Sequence, residues 1–226
     1  MTKDRGKPTG RNLSETSGVT LFAGQMKNKR IERPMSLPAT ASPPVITYTC
    51  EEYLALDEAA PEGRRYEFDG TYVWAMAGAR PEHNQLAQNV GTALHTRLRK
   101  RGCHVMQSDQ RVHLGLTYVY PDVVAFCEKG RYTDENPPSL LNPALVVEVL
   151  SPSTLEKDLT WKLEAYRSVA PIQECWFLWT DEAKVDQYIR EDDAWRIVSF
   201  RGEDATLRSP FFEIEVSLSE LYELVL

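Results

Sequence analysis

One carboxylate, Glu148, stands inside the apolar run Leu145-Val146-Val147-Glu148-Val149-Leu150, a stretch that reads as a fully buried strand. Taking an unpaired ionised carboxylate out of water is costly, so Glu148 requires a metal ion, a lysine or a shared proton. A second acid, Asp122, follows Pro121 and precedes another apolar run, Val123-Val124-Ala125-Phe126. If the two runs are neighbouring strands, both carboxylates can project from one side of a sheet. Two or three oxygen ligands with water on the remaining positions is how proteins usually hold Mg2+. Such an ion can activate water and neutralise charge on a phosphodiester undergoing substitution. Each acid also has a plainer reading: Asp122 as a turn aspartate after proline, Glu148 as the buried partner of an Arg or Lys.

Other chemistries find little support. There is no Gly-x-Ser-x-Gly elbow and no phosphate-cradling Gly-rich loop. Ser151 and Ser153 follow Glu148, but capping of a helix accounts for Ser153. The four cysteines form no Cys-x-x-Cys pair, which argues against structural zinc and a disulfide framework and for buried free thiols in a reducing cytoplasm. His95, His104 and His113 lack metal-ligand spacing. A net charge of −7 speaks against a protein that coats DNA nonspecifically, while leaving room for a nuclease with a local basic rim around an acidic site. No apolar run is long enough to span a membrane, and Lys3, Arg5 and Lys7 are followed by no apolar signal region.

The elements that must position these acids can be placed in order. Residues 1–46, rich in Lys, Arg, Ser, Thr, Pro and Gly, read as a disordered extension; translation from Met35 is an alternative start. Residues 47–226 read as a single domain. Thr49-Cys50-Glu51-Glu52 fits a capping box opening a short helix to Leu56. Asp69-Gly70 between aromatic-rich arms, residues 65–76, signals a hairpin. Leu86, Val90, Leu94 and Leu98 make a stripe on a helix from Pro81 to Arg101, whose final Arg97, Arg99, Lys100 and Arg101 complement the helix dipole or meet phosphate. Strands are expected at 104–114, 118–126 and 144–150, with Asp109 and Arg111 of the first placed to flank the site. Ser153-Thr154-Leu155-Glu156 is a second capping box, starting a helix to about Ser168 with Asp158, Lys162 and Tyr166 near one face. A buried strand at 174–179, a hairpin pair at 185–189 and 195–200, and a short helix near Ser217–Tyr222 complete an α/β (α+β) order.

Pro-Asp followed by a Glu-x-Lys strand and a helix is the pattern of the PD-(D/E)xK nuclease superfamily, which this chain resembles. More closely, Tyr66-Glu67-Phe68-Asp69-Gly70, His83, Pro121-Asp122-Val123-Val124, Glu148-Val149-Leu150-Ser151-Pro152-Ser153-Thr154 and the downstream Asp158, Lys162 and Tyr166 resemble the Uma2 family, formerly a domain of unknown function. The resemblance runs from about Thr49 to the C-terminus. It implies a restriction-endonuclease-like core, a central mixed sheet flanked by helices, with an added N-terminal hairpin. It implies a cytoplasmic metal-dependent endonuclease acting on DNA, with Mg2+ or Mn2+ held by Asp122 and Glu148 and assisted by Glu67, and it allows a homodimer. The chain departs from the superfamily at Leu150, where the usual lysine would lie beside Glu148 on the same strand face. The Uma2 pattern moves that lysine to the next helix, at Lys162, and puts His83, Tyr166 and Asp158 near phosphate or behind the ligands. On its own, Lys162 reads more readily as a surface partner of Asp158, a pair worth about 0.3–0.5 kcal/mol, and His83 as a structural histidine. The alternative function is a catalytically inactive nuclease-like module that binds nucleic acid or protein.

Overall fold

Thr49 and Glu52 open the first helix as their spacing requires: Glu52 N–H donates to Thr49 Oγ1 at 3.2 Å and Thr49 N–H to Glu52 Oε2 at 2.8 Å. The computed structural model describes residues 46–76, 78–151 and 155–226; the expectations for the N-terminal extension, for Met35 and for capping by Ser153 fall outside the described residues. The helix α1, Cys50–Glu58, leads into the hairpin of β1, Tyr66–Phe68, and β2, Val73–Ala75. Asp69 Oδ1 accepts from the Thr71 and Tyr72 N–H groups at 2.9 and 2.7 Å, and Gly70 takes a positive φ of 96° that the turn needs. Replacing the exposed Thr49 by Ala should remove one cap bond and about 1 kcal/mol of stability. Urea unfolding would measure it; a value within a few tenths of wild type would show that Glu52 alone holds this helix end.

The helix α2, Pro81–Leu98, is followed by a tight turn, Arg99–Arg101, and stops at Gly102, whose φ is 76°. Its stripe of Leu86, Val90, Leu94 and Leu98 is fully buried. Arg97 and Arg101 are engaged within the chain: Arg97 binds both Glu220 carboxylate oxygens at 2.8 and 2.6 Å, and Arg101 donates to the Phe212 carbonyl. They fasten the far end of α2 to the C-terminal segment.

The expected strands 104–114 and 118–126 are each broken in two. The pieces are β3, His104–Gln107, β4, Val112–Leu114, β5, Thr117–Val119, and β6, Val123–Phe126. Then come β7, Leu145–Leu150, and a helical stretch with α3, Leu155–Lys157, a wide π-type turn, Asp158–Lys162, and α4, Leu163–Ser168. The remainder is β8, Glu174–Trp179, β9, Lys184–Glu191, β10, Ala194–Arg201, β11, Thr206–Ser209, β12, Ile214–Ser217, and α5, Leu218–Leu221. The β11–β12 hairpin had no counterpart in the sequence reading.

The breaks have a cause. Pro121 has no N–H for a ladder, and Ser108 adopts a left-handed φ of 55°. The two breaks lie side by side, joined by the Ser108 N–H to the Asp122 carbonyl at 3.0 Å. Both chain segments therefore pass from one sheet to another at the same place. One sheet is mixed, six-stranded and ordered β10-β9-β8-β7-β6-β3; the other is four-stranded, ordered β2-β1-β5-β4. Within the larger sheet β7 and β8 run parallel and β6 and β7 antiparallel.

Alternation along β7 sends Leu145, Val147 and Val149 toward α2 and Val146 and Leu150 into the apolar layer with Leu163 and Tyr166 of α4. Leu150 is core, packed where the ordinary motif lysine would stand. Trp176-Phe177-Leu178 is buried in β8. The cysteines depart from expectation: Cys103 and Cys127 form a disulfide, because one step past the His104–Phe126 pair the antiparallel β3–β6 ladder sets them face to face. Cys50 and Cys175 are free. No helix among the described residues is long and apolar enough to cross a membrane.

Candidate active site

The register of β6 and β7 brings the two central acids together. One step beyond the Val123–Val147 pair, Asp122 comes opposite Glu148, and its Oδ2 accepts the Val149 N–H at 2.7 Å. Because Asp122 sits after Pro121, where β5 has ended and β6 has not begun, its side chain faces the seam between the two sheets. Across that seam, Glu67 of β1 is fully buried, and its Oε1 accepts the Tyr120 N–H at 3.0 Å.

Lys162 joins these acids. Its ammonium lies 2.6 Å from Glu148 Oε1, 3.1 Å from Glu67 Oε1 and 3.3 Å from Asp158 Oδ1, with 3% of the side chain exposed. Three donors meet three carboxylates. The surface-pair reading of Lys162 and Asp158 is excluded by that burial. Tyr166 donates its hydroxyl to Glu148 Oε1 from below. His83, in the first turn of α2, has Nε2 3.3 Å from Asp122 Oδ2, and its Nδ1 is buried with no partner among the described residues.

Sequence reasoning missed Lys157, which pairs with Glu67 Oε2. On a regular helix, residues 157 and 162 diverge; the wide turn between Asp158 and Lys162 puts i and i+5 on one side, so both lysines reach Glu67. Nothing in the residue pattern announces that turn. Asp109 and Arg111 stand apart from the site. Arg111 is buried against Asp57 at 2.8 Å and Glu135 at 3.1 Å, and Asp109 pairs at the surface with Arg65 at 3.5 Å.

The surroundings push the buried groups in opposite directions. Burial, reinforced by Asp158, Asp122 and Glu67 and only partly offset by Lys162, lifts the Glu148 carboxyl well above its ordinary value. Burial acts on Glu67 in the same sense, but Lys162, Lys157 and the Tyr120 N–H outweigh it and keep Glu67 below its ordinary value. Burial opposes charge on Lys162, yet Glu148 and Glu67 hold its pKa well above the ordinary lysine range. For His83, burial favours the neutral ring, and the Asp122 hydrogen bond and charge more than compensate. Environments that separate two carboxyls in this way are a mark of acid–base sites.

These side chains line a cavity of about 830 Å3, open at one side, which Trp74, Arg80 and Trp161 also border. Its wall carries the acids Glu67, Asp122, Glu148 and Asp158 against the cations Arg80, Lys157 and Lys162. Such a surplus of carboxylate oxygen suits a hard dication, and Mg2+ commonly takes one or two protein carboxylates with water on the rest. Among the described residues no three His, Cys, Asp or Glu side chains form a ready metal cage. Asp122 and Glu148 face each other across β6 and β7, and Glu67 is engaged by the two lysines.

Residues 50–220 match the Uma2 family, described as "Putative restriction endonuclease". The uncharacterized protein sll1609 of Synechocystis sp. (strain ATCC 27184 / PCC 6803 / Kazusa) is 32% identical over 171 residues, covering 74% of this chain and 94% of the relative. A second uncharacterized protein of that strain, slr1290, is 30% identical over 158 residues, covering 68% and 80%. Among solved structures, a "putative nuclease belonging to DUF820" from Anabaena variabilis ATCC 29413 superposes with a TM-score of 0.64 at 19% identity, covering 79% of this chain and 99% of that one. With its mixed sheet, flanking helices and matched span, the chain belongs to the Uma2 family of restriction-endonuclease-like fold.

Proposed function

We propose that the protein is a metal-dependent endonuclease that hydrolyses phosphodiester bonds in DNA. The observation that carries this reading is the arrival of Lys162 at Glu148 and Glu67, 2.6 and 3.1 Å away, beside Asp122. A lysine from the following helix thus supplies the ammonium that Leu150 cannot. Asp122 and Glu148 would hold Mg2+ or Mn2+, which when bound supplies an activated water and neutralises phosphate charge. By exchanging its bond to Asp158, the longest of the three at 3.3 Å, Lys162 would orient the attacking water and stabilise the added negative charge on the phosphoryl oxygens. The water oxygen bonds to phosphorus and gives its proton to solvent, while one P–O ester bond breaks and the departing oxygen takes a proton from solvent to leave as a hydroxyl. Asp158, Glu67 and Tyr166 hold Lys162 and Glu148 in place, and His83 holds Asp122.

The test is plasmid cleavage with Mg2+ or Mn2+ and with chelator, using wild type, Asp122→Ala and Glu148→Ala. Metal-dependent nicking or linearisation that both substitutions abolish is expected. Cleavage surviving both would remove this site from the chemistry.

A second reading is favoured by one observation. Lys157 and Lys162 pair with Glu67 and Glu148, as a catalytically inactive binding module would require. Calorimetric titration with Mn2+ separates the two: the nuclease reading requires saturable binding in the low-millimolar range or tighter, and a folded protein without it is the inactive module.

A further inference from the structure

Resting on the nuclease reading of the site, we propose that the pocket takes an unpaired segment of a nucleic acid strand, with one nucleobase stacked on Trp74, in preference to regular duplex. Trp74 is the direct cross-strand partner of Glu67 in the β1–β2 hairpin. Such partners share a sheet face, with their Cβ atoms about 4.5–5.5 Å apart, so the indole stands next to the carboxylate that both lysines grip. It is 40% exposed, and the neighbours at every second position, Tyr72 and Met76, are 39% and 38% exposed. Three large side chains therefore sit on the edge strand β2 and just beyond its two ends, and Trp74 and Met76 border the cavity.

The indole is held ready. Its Nε1–H donates to Asp69 Oδ2 at 3.0 Å, and Asp69 is itself fixed by the turn N–H groups of Thr71 and Tyr72. A ring fixed before binding loses little freedom when a base lies on it. The cavity, about 830 Å3, is of the size that takes a small organic ligand and is far larger than a hydrated ion requires.

Charge points the same way. A protein that grips duplex through its phosphates needs a track of Lys and Arg. Here the chain carries a net charge of −7, and Lys157 and Lys162 on the cavity wall are committed to Glu67 and Glu148. Single-strand binders also use a basic groove, which Arg80 borders here, and base stacking adds affinity beyond it. A base face is available only where the strand is unpaired, because in duplex it is covered by its neighbours and must be extruded at a cost.

The experiment uses the full chain carrying Asp122→Asn, so that strands stay intact, with Mg2+ present. Fluorescence anisotropy would follow fluorescein-labelled single-stranded DNA, single-stranded RNA and duplex DNA of one sequence. At least one single strand should bind ten-fold or more tightly than duplex. Adding Trp74→Ala should weaken that binding roughly ten-fold, as loss of one stacking platform does, while Trp74→Phe retains most of it and thermal melting confirms that both are folded. Duplex bound as tightly as either single strand, or a neutral Trp74→Ala, overturns the inference. If wild type still cleaves duplex in an Asp122-dependent manner in that case, the nuclease reading stands without it; if no nucleic acid is bound or cut, both fall.

Discussion

Replacing Lys162 by Met is expected to remove about 3–5 kcal/mol of folding stability at neutral pH and to abolish hydrolysis. The methionine keeps the apolar stem in its slot, so the loss isolates the ammonium. Without it, Glu148, Glu67 and Asp158, which are 4%, 0% and 3% exposed, share a buried space with one cation fewer. Glu67 keeps Lys157 and the Tyr120 N–H, and Glu148 keeps the Tyr166 hydroxyl, but none of these spans the three acids. Urea unfolding followed by circular dichroism measures the effect. A loss below about 1 kcal/mol, the range of exposed pairs, would mean that the acids are neutral or hydrated without Lys162. Lys162→Arg should restore little, because a planar guanidinium needs more room than an ammonium that is buried on all sides.

Why Lys162 is placed so well, and how far that was readable, comes down to particular residues. Glu148 declared its predicament in the sequence: an acid flanked by Val147 and Val149 has to find a partner, and the β6–β7 register supplies Asp122 opposite it. The α2 stripe and the Thr49–Glu52 box are local patterns, and local patterns survive folding. The break at Asp122 is different. A largely apolar run continues from Tyr118 through Phe126, and apolar character records burial without recording which sheet a strand belongs to. Pro121 was the available signal, since a residue without an N–H interrupts a ladder.

Lys157 and the disulfide lay beyond sequence reasoning for related reasons. A heptad or i, i+4 rule assumes 3.6 residues per turn, and the turn at Asp158–Lys162 is wider. Cys103 and Cys127 are 24 residues apart in the chain, and only the β3–β6 register makes them neighbours. Arg111 shows the reverse error. Placed beside the site by its position in a single long strand, it instead follows β4 into the smaller sheet and is held by Asp57 and Glu135. Each miss traces to register or helix pitch, properties that depend on partners distant in sequence.

Glu148→Gln should separate stability from chemistry, moving the two in opposite directions. Hydrolysis should fall more than about a hundred-fold, since even residues that only support a metal ligand are worth about ten- to a hundred-fold. Stability of the metal-free protein should hold or rise, by up to about 2 kcal/mol. The glutamine carbonyl can accept from Lys162 and Tyr166 as Glu148 Oε1 does, while Lys162 keeps Glu67 and Asp158 as counter-charges. The pH dependence fixes the sign. Burial, then Asp158, Asp122 and Glu67, lift the native Glu148 carboxyl well above its ordinary value of 4.5. Between those two values the native state keeps a proton that the unfolded chain has released, so this group's contribution is whole below about 4.5 and is lost as pH rises through the native value. Glutamine does not titrate, and its advantage over glutamate should therefore widen as pH increases. Unfolding in urea with chelator at a series of pH values, beside plasmid cleavage with Mg2+, measures both halves. A variant destabilised by about 3–5 kcal/mol would instead identify Glu148 as the ionised counter-charge that Lys162 cannot lose. A variant that still cleaves would place the chemistry elsewhere, because an amide holds a dication far less well than the carboxylate it replaces.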